Sequence, residues 1–190
     1  MNHKLDTDFL DRAIIFAVKA HAGTERRGKG FPYIVHPLEA MAIVATMTND
    51  QEMLAAAALH DTIEDTSVTY SDIKLIFGER VAKLVQYDSE QKTNEENQAE
   101  SWHARKQAAI DRLAAAPHDA KMIALGDKLS NMRAIARDYD TEGDKLWNRF
   151  HVSDVKEHSW HYHGLVESLR ELSDTEAFKE FEALVNKVFP

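Results

Sequence analysis

The sequence predicts an all-α fold, a single-domain helical bundle. Three observations carry that prediction. Apolar residues recur at three- and four-residue spacing nearly throughout, the period of one helix face. Glycine and proline number only 7 and 4, too few for the many tight turns of a sheet-rich sandwich. A chain of 190 residues with 44% apolar content is long enough to bury a sizeable core and too apolar to be disordered. No internal repeat or composition shift divides it, so residues 1–190 read as one domain with at least eight helices.

Leu5, Phe9, Ala13, Phe16, Ala17 and Ala20 share one face and predict the first helix. Gly23 to Pro32 breaks the pattern with three glycines and a basic cluster, and reads as a loop. Pro37 suits the first turn of a second helix, which runs through "LEAMAIVATM". Met53 to Leu59 is almost wholly apolar and predicts a buried helix. Ser71–Phe77, Val81–Val85, Trp102–Leu113 and Ala120–Ile135 continue the helical pattern. Tyr87 to Ser101 is polar and acidic, so a loop is predicted there, of a length that suits a lid over a site. Ser153–Leu172 and Asp174–Val188 close the chain. Asp174 is expected as the N-cap of the last helix, with Ala177 at N3, half of a capping box.

Lysine and arginine total 23 against 32 acidic residues, a net charge of −9. A broad basic surface for nucleic acid is therefore excluded, and a polyanionic substrate would need a local basic cluster or a metal. The absence of cysteine removes disulfide scaffolds, thiolate zinc sites and a cysteine nucleophile. The N-terminal "MNHKLDTDFLDRA" lacks the apolar core of a signal peptide, and no run approaches the roughly 20 apolar residues of a membrane span. A soluble cytoplasmic protein with neither nucleic acid nor membrane as partner is expected.

Chemistry concentrates in the histidines and the acids near them. In "LHDTIED", His60 and Asp61 are adjacent and leave a helix about 100° apart, so both reach one ion only near a helix end or between helices. Glu64 and Asp65 follow one turn later. Acids directly after a buried segment are costly unless neutralised, and the helix dipole disfavours them at a C-terminus. "PYIVHP" places His36 at a helix start on a fixed backbone. "ALGDKLSNM" places Asp127 in an apolar helical stretch, with Asn131 four residues on and on the same face. Two imidazoles and two carboxylates suit Mn, Fe, Zn or Ni and leave positions for water and a phosphate oxygen.

His60-Asp61, preceded by His36 and followed by Asp127, resembles the HD superfamily of metal-dependent phosphohydrolases. "HAGTERRGKGFPYIVHP", "AAALHDTIEDT" and "GDKLSNM" together resemble the hydrolase domain of the Rel/Spo alarmone enzymes and the stand-alone small alarmone hydrolases. The resemblance implies a single HD-type helical domain with a metal between helices, ligated by His36, His60, Asp61 and Asp127. Mn²⁺ is the ion it implies, with other divalent transition metals possible. Glu64 and Asp65 match the acidic pair that orients and activates the attacking water. Arg26 matches the basic residue before the "PY" motif that contacts the nucleotide, with Arg27 beside it a further candidate for substrate binding, and Asn131 matches an Asn of the nucleotide pocket. The implied reaction removes pyrophosphate from the ribose 3′ position of (p)ppGpp, giving GDP or GTP.

The chain departs from the usual pattern in places. Thr24 stands for the usual Gln, Arg27 for Lys, and "QYDSEQK" follows Val85 in place of a "DGVTK"-like stretch. "GDKLSNM" replaces "ADRLHNM", substituting Gly126, Lys128 and Ser130. Action on a different nucleotide or phosphoester, or a non-catalytic nucleotide-binding module, are the alternatives; loss of a ligand or of the acidic pair would mark the latter, and none is lost. Arg26, Arg27 and Lys29 form a dense basic patch suited to clamping phosphate, with Lys128 and Arg105 as further candidates. His158, His161 and His163 lack a well-placed acidic partner for a second metal site, and Tyr162 is expected to pack in the core.

Overall fold

Alanine makes the centre of this molecule. In helix α3, Gln51–Leu59, Ala55 to Ala58 and Leu59 are fully buried. Short side chains let neighbours approach α3 from several sides, and α1 (Asp8–Ala20), α2 (Val35–Val44), α6 (Glu79–Asp88) and α8 (His118–Glu142) all pack on it. Asp50 caps α3, its carboxylate accepting from the amides of Glu52 and Met53 at 2.9 and 3.4 Å.

The computed structural model describes residues 6–88 and 101–190. Among these residues there are ten α-helices and no strand; only an isolated antiparallel bridge joins Glu25 and Pro32. The remaining helices are α4 (Thr62–Asp65), α5 (Tyr70–Phe77), α7 (Trp102–Ala114), α9 (Val155–Ser168) and α10 (Glu176–Val188). None is long and apolar enough to cross a membrane.

The core has two halves. One gathers α1, α3, α5 and α6, where Phe9 and Phe16 meet Phe77 edge-on at 6.0 and 5.4 Å. The other gathers α8, α9 and α10 around Leu129, Leu165, Phe178 and Phe181. Met47, Leu113 and Met122 pack against both halves. Helix α8 is the shared spine, 25 residues or roughly 37 Å long.

Gly126 sets how closely α8 approaches α2. A Cβ there would lie 2.7 Å from the Ala40 carbonyl oxygen and 2.7 Å from Val44 Cγ2. The backbone oxygen cannot swing aside, so Gly126→Ala should lower the unfolding free energy by about 1–3 kcal/mol, the cost of overpacking. Urea unfolding checks this; an unchanged midpoint would mean the α2–α8 contact has slack.

Several boundaries differ from the sequence expectation. Leu5 and residues 89–100, the bulk of the expected polar loop, lie outside the described residues. Tyr87 belongs to α6, and Ser101 precedes α7. Helix α2 begins at Val35, so Pro37 is its third residue, still within the first turn. Helix α8 continues to Glu142 and ends at Gly143 with φ +57°, a left-handed conformation that favours glycine. The 3-10 helix Gly143–Arg149 was not expected; it buries Leu146 and Trp147. The cap of α10 is Thr175 rather than Asp174: its hydroxyl accepts from the Phe178 amide at 3.2 Å. The acids after His60 also sit differently from the expectation. Helix α3 stops at Leu59, and Glu64 and Asp65 fall on a separate one-turn helix, α4, rather than at the C-terminus of α3.

Candidate metal centre and substrate cavity

Helices α2, α3 and α8 pack on one another, and each brings part of one donor set to the seam between the core halves. His36 comes from the first turn of α2, His60 and Asp61 from the break after α3, and Asp127 from the middle of α8. Donor atoms of His36, His60 and Asp127 all lie within 4.8 Å of one another, and all three residues are buried. His36 Nε2 is 2.9 Å from Asp127 Oδ1 and 3.5 Å from Asp61 Oδ2. His60 Nε2 is 3.0 Å from Asp61 Oδ2 and 3.6 Å from Asp127 Oδ1. Three of the four residues singled out in the sequence as metal ligands, His36, His60 and Asp127, thus form one donor group, and Asp61 Oδ2 approaches both histidines beside it.

The chemistry of this set fits a divalent cation. His60 Nδ1 lies 2.8 Å from the Ala57 carbonyl, which can only accept, so Nδ1 carries a proton and neutral His60 presents a bare Nε2. That Nε2 is buried and makes no hydrogen bond of good geometry. Lone pairs of imidazole and carboxylate converging in a buried space are stabilised by a cation between them. In the absence of an ion, protons take that part. Burial disfavours charge on His60, but Asp61 and Asp127 outweigh it and hold its pKa well above the ordinary value. Burial would raise Asp61, yet His60 beside it brings the carboxyl down to about 2. Asp127 is likewise pushed upward by burial, but Lys128 and the two histidines hold it well below the usual carboxylate range.

Around the donors lies a frame of polar partners. Asn131 Nδ2 donates to Asp127 Oδ1 at 2.6 Å, and Lys128 Nζ contacts Asp127 Oδ2. Arg26 Nη2 in turn donates to Asn131 Oδ1, while its guanidinium lies 5.2 Å from the Tyr33 ring centroid. The Tyr33 hydroxyl donates to Asp61 Oδ2 at 2.7 Å; burial, with Asp61, pushes its pKa upward, so it stays a donor. His21 is buried against Tyr33, with ring centroids 4.9 Å apart, and neither of its nitrogens has a hydrogen-bond partner. Tyr33 and His21 were not expected as site residues, nor was Glu39, and Ser130, which lies 2.8 Å from both His36 Nδ1 and Glu39 Oε2, was noted only as a departure. Tyr33 and His21 stand inside the motifs that carry His36, so nearness in sequence was the available signal.

Glu64 is partly buried and Asp65 exposed on α4, whose backbone is tied to Asp61 by the Asp65 amide at 2.8 Å. The Asp65 charge acts on both His21 and Tyr33. Arg26, Arg27, Lys29, Tyr33, Asn131 and Tyr162 help line a cavity of about 740 Å³. Positive φ of +69° at Gly28 and Gly30 folds the basic loop back on itself, and the Arg26 amide bonds to the Phe31 carbonyl at 2.9 Å. Lys29 pairs with Asp138, so of the basic patch it contributes least free charge. Lys128, Arg112 and Lys106 line an adjoining hollow of about 150 Å³. Arg105 donates to Ser101 Oγ at 3.3 Å and is absent from both linings.

The three later histidines go separate ways. His158 contacts the Val152 carbonyl at 2.7 Å, and His163 Nδ1 the Ser159 carbonyl at 2.8 Å. His161 is driven down to about 3, chiefly by burial, and lines both cavities. Tyr162 stacks on Phe189 at 5.6 Å and lines both cavities too, so it serves packing and pocket together.

Known proteins resemble this chain in sequence and fold. A guanosine-3′,5′-bis(diphosphate) 3′-pyrophosphohydrolase of Aquifex aeolicus is 47% identical over 94 residues, 45% of this chain and 13% of that protein. The bifunctional (p)ppGpp synthase/hydrolase SpoT of Escherichia coli is 37% identical over 131 residues, 66% of this chain and 18% of that protein. The chain thus spans less than a fifth of the length of these curated relatives. A solved structure of a metazoan ortholog of SpoT has a TM-score of 0.77 at 22% identity, covering 97% of both chains, which shows a shared fold. A Listeria monocytogenes structure aligns with a TM-score of 0.72 at 28% identity, covering 85% of this chain and all of that one. The HD-domain family model matches residues 13–152, the span that holds all four donors and the acids after them, and the chain belongs to that family.

Proposed function

We propose that this chain, as a single HD domain over residues 1–190, is a Mn²⁺-dependent hydrolase of cytoplasmic alarmones. It removes the 3′-pyrophosphate of (p)ppGpp to leave GDP or GTP. The observation that carries the reading is the convergence of His36, His60, Asp61 and Asp127 beside a cavity lined with cations. The relatives named for this reaction support the choice of substrate.

When bound, the ion supplies Lewis-acid polarisation of a phosphoryl oxygen and a readily deprotonated water. The residues of the chain do the rest. Glu64, with Asp65 beside it, accepts a proton from the attacking water. The water oxygen bonds to phosphorus, the bond from phosphorus to the ribose 3′ oxygen breaks, and that oxygen takes up a proton. Arg26, Arg27 and Lys128 offset phosphate charge during binding. Asn131 holds the Asp127 carboxylate from one side while Tyr33 holds Asp61 from the other.

Pyrophosphate release from a panel of nucleotides with Mn²⁺ tests the reading. Alarmone-selective release supports it. Release only from ordinary nucleoside triphosphates moves the protein to another substrate, and no release from any nucleotide points to a non-catalytic binding module.

The protein's net charge of −9 opposes approach of a polyphosphate at long range, and a metal with two carboxylate ligands has little charge to spare. Arg26 retains its charge because its bonded partner, Asn131, is neutral. Arg26→Ala should therefore raise KM by at least about tenfold, roughly 1.4 kcal/mol of binding, with Mn²⁺ content unchanged. The effect should shrink at high salt. An unaltered KM would place the phosphates elsewhere, with Lys128 the first candidate.

A further inference from the structure

A chain of polar groups runs from the donor set along the α2–α8 interface, where His36, Glu39 and Ser130 line a small hollow together with Arg26 and Lys29 of the basic loop. His36 Nδ1 lies 2.8 Å from Ser130 Oγ, and Ser130 Oγ donates to Glu39 Oε2 at 2.8 Å. Arg133 Nη1 donates to the other oxygen of Glu39 at 3.3 Å. Arg133 is itself fixed by Glu180 of α10, through Nε and Nη2, each at 2.7 Å. Spacing puts these groups in line: Glu39 is one turn after His36 on α2, and Ser130 and Arg133 follow Asp127 at three-residue steps on α8.

The direction of the protons follows from the donor and acceptor inventory. A carboxylate only accepts, so the single hydroxyl proton of Ser130 points at Glu39. Toward His36 the hydroxyl then offers only a lone pair, and His36 Nδ1 must be the donor. When neutral, His36 consequently presents a bare Nε2, the atom that lies 2.9 Å from Asp127 Oδ1. Ser130 alone would satisfy Nδ1 in either orientation, since a hydroxyl both donates and accepts. Glu39 removes that freedom, and the Arg133–Glu180 pair holds Glu39 in place.

We infer that Ser130 and Glu39 are positioning residues that fix the tautomer of His36 and aim its Nε2 at the metal. The inference rests on the metal reading of the centre given above. It assigns a role to Ser130, where this chain departs from the "ADRLHNM" pattern. A group behind a metal-binding histidine commonly changes metal affinity by about ten- to a hundredfold when removed.

Two measurements test it. Nitrogen NMR of isotope-labelled histidine, in wild-type protein loaded with diamagnetic Zn²⁺, should find the His36 proton on Nδ1 and none on Nε2; the signal is assigned by its loss in His36→Asn. A proton on Nε2 would overturn the inference without any variant having to fold. In Glu39→Gln the amide is able to donate to Ser130 and reverse the hydroxyl. This isosteric change should weaken Mn²⁺ binding by about ten- to a hundredfold. Melting of the ion-free protein should change little, because Arg133 keeps Glu180. Equal Mn²⁺ affinity in Glu39→Gln and wild type would overturn the positioning role while leaving the metal centre standing. A wild-type protein that binds no divalent ion would overturn the centre, and the inference with it.

Discussion

His60→Ala should lose both divalent-ion binding and hydrolysis. Nε2 of His60 faces the two carboxylates of the donor set from a fully enclosed position, and its Nδ1 is already committed to the Ala57 carbonyl. No neighbouring side chain replaces it without a backbone shift, because α3 ends at this point in a run of buried alanines. Loss of the ion removes several kcal/mol of transition-state stabilisation, and each 1.36 kcal/mol is tenfold in rate. Turnover should fall on the order of a thousandfold or more. Metal analysis of the purified variant, beside a melting curve that confirms folding, checks the expectation. One ion per chain, held at wild-type affinity by His60→Ala, would remove His60 from the donor set.

Glu64→Ala should separate the two properties that His60→Ala loses together. Glu64 lies on α4, beyond the break in the chain at His60 and Asp61; it is Asp61 Oδ2 that lies 3.0 and 3.5 Å from the two histidine nitrogens. Its proposed work is on the water's proton, a contribution of about a hundred- to ten-thousandfold in rate. The variant should keep its Mn²⁺ and lose turnover by that factor. If Glu64→Ala loses the ion as completely as His60→Ala, the acid is a ligand and the assignment of roles is wrong.

The two variants divide the site along a line the sequence shows only in part. The candidate donors were legible because their types are unusual in their settings: an acid in an apolar helix at Asp127, and a histidine and acid directly after a run of buried alanines at His60 and Asp61. Helix α3 was legible for the same reason, since seven nearly all-apolar residues have one plausible destination. Its end was not. Thr62 donates its hydroxyl to the Leu59 carbonyl at 2.7 Å as the chain turns into α4, and nothing in the local spacing announces that break. The last turns of α8 were missed because their exposed face is held by distant partners, Asp140 by Lys187 at 2.7 Å and Glu142 by Arg149. Asp174 and Thr175 are both good capping residues, and only the hydrogen bond to Phe178 decides between them. Tyr33 and Glu39 act across helix interfaces, on Asp61 and Ser130, so their roles depend on distances between helices rather than on spacing along one.

Gly126 immediately precedes Asp127 on α8, and the helix it lets in, α2, carries His36. The same close contact therefore acts as a gauge block for the proposed ion site: whatever separates the helices at residue 126 separates the His36 nitrogen from the carboxylate of Asp127, one residue away. A methyl group there would sit 2.7 Å from the Ala40 oxygen against the 3.4 Å of ordinary contact, a shortfall of 0.7 Å. Metal–ligand distances tolerate about 0.2 Å. Engineering tolerance at this seam is thus tighter for coordination than for packing. A larger residue at 126 would be felt first as a misfit of the ion, in a protein still folded.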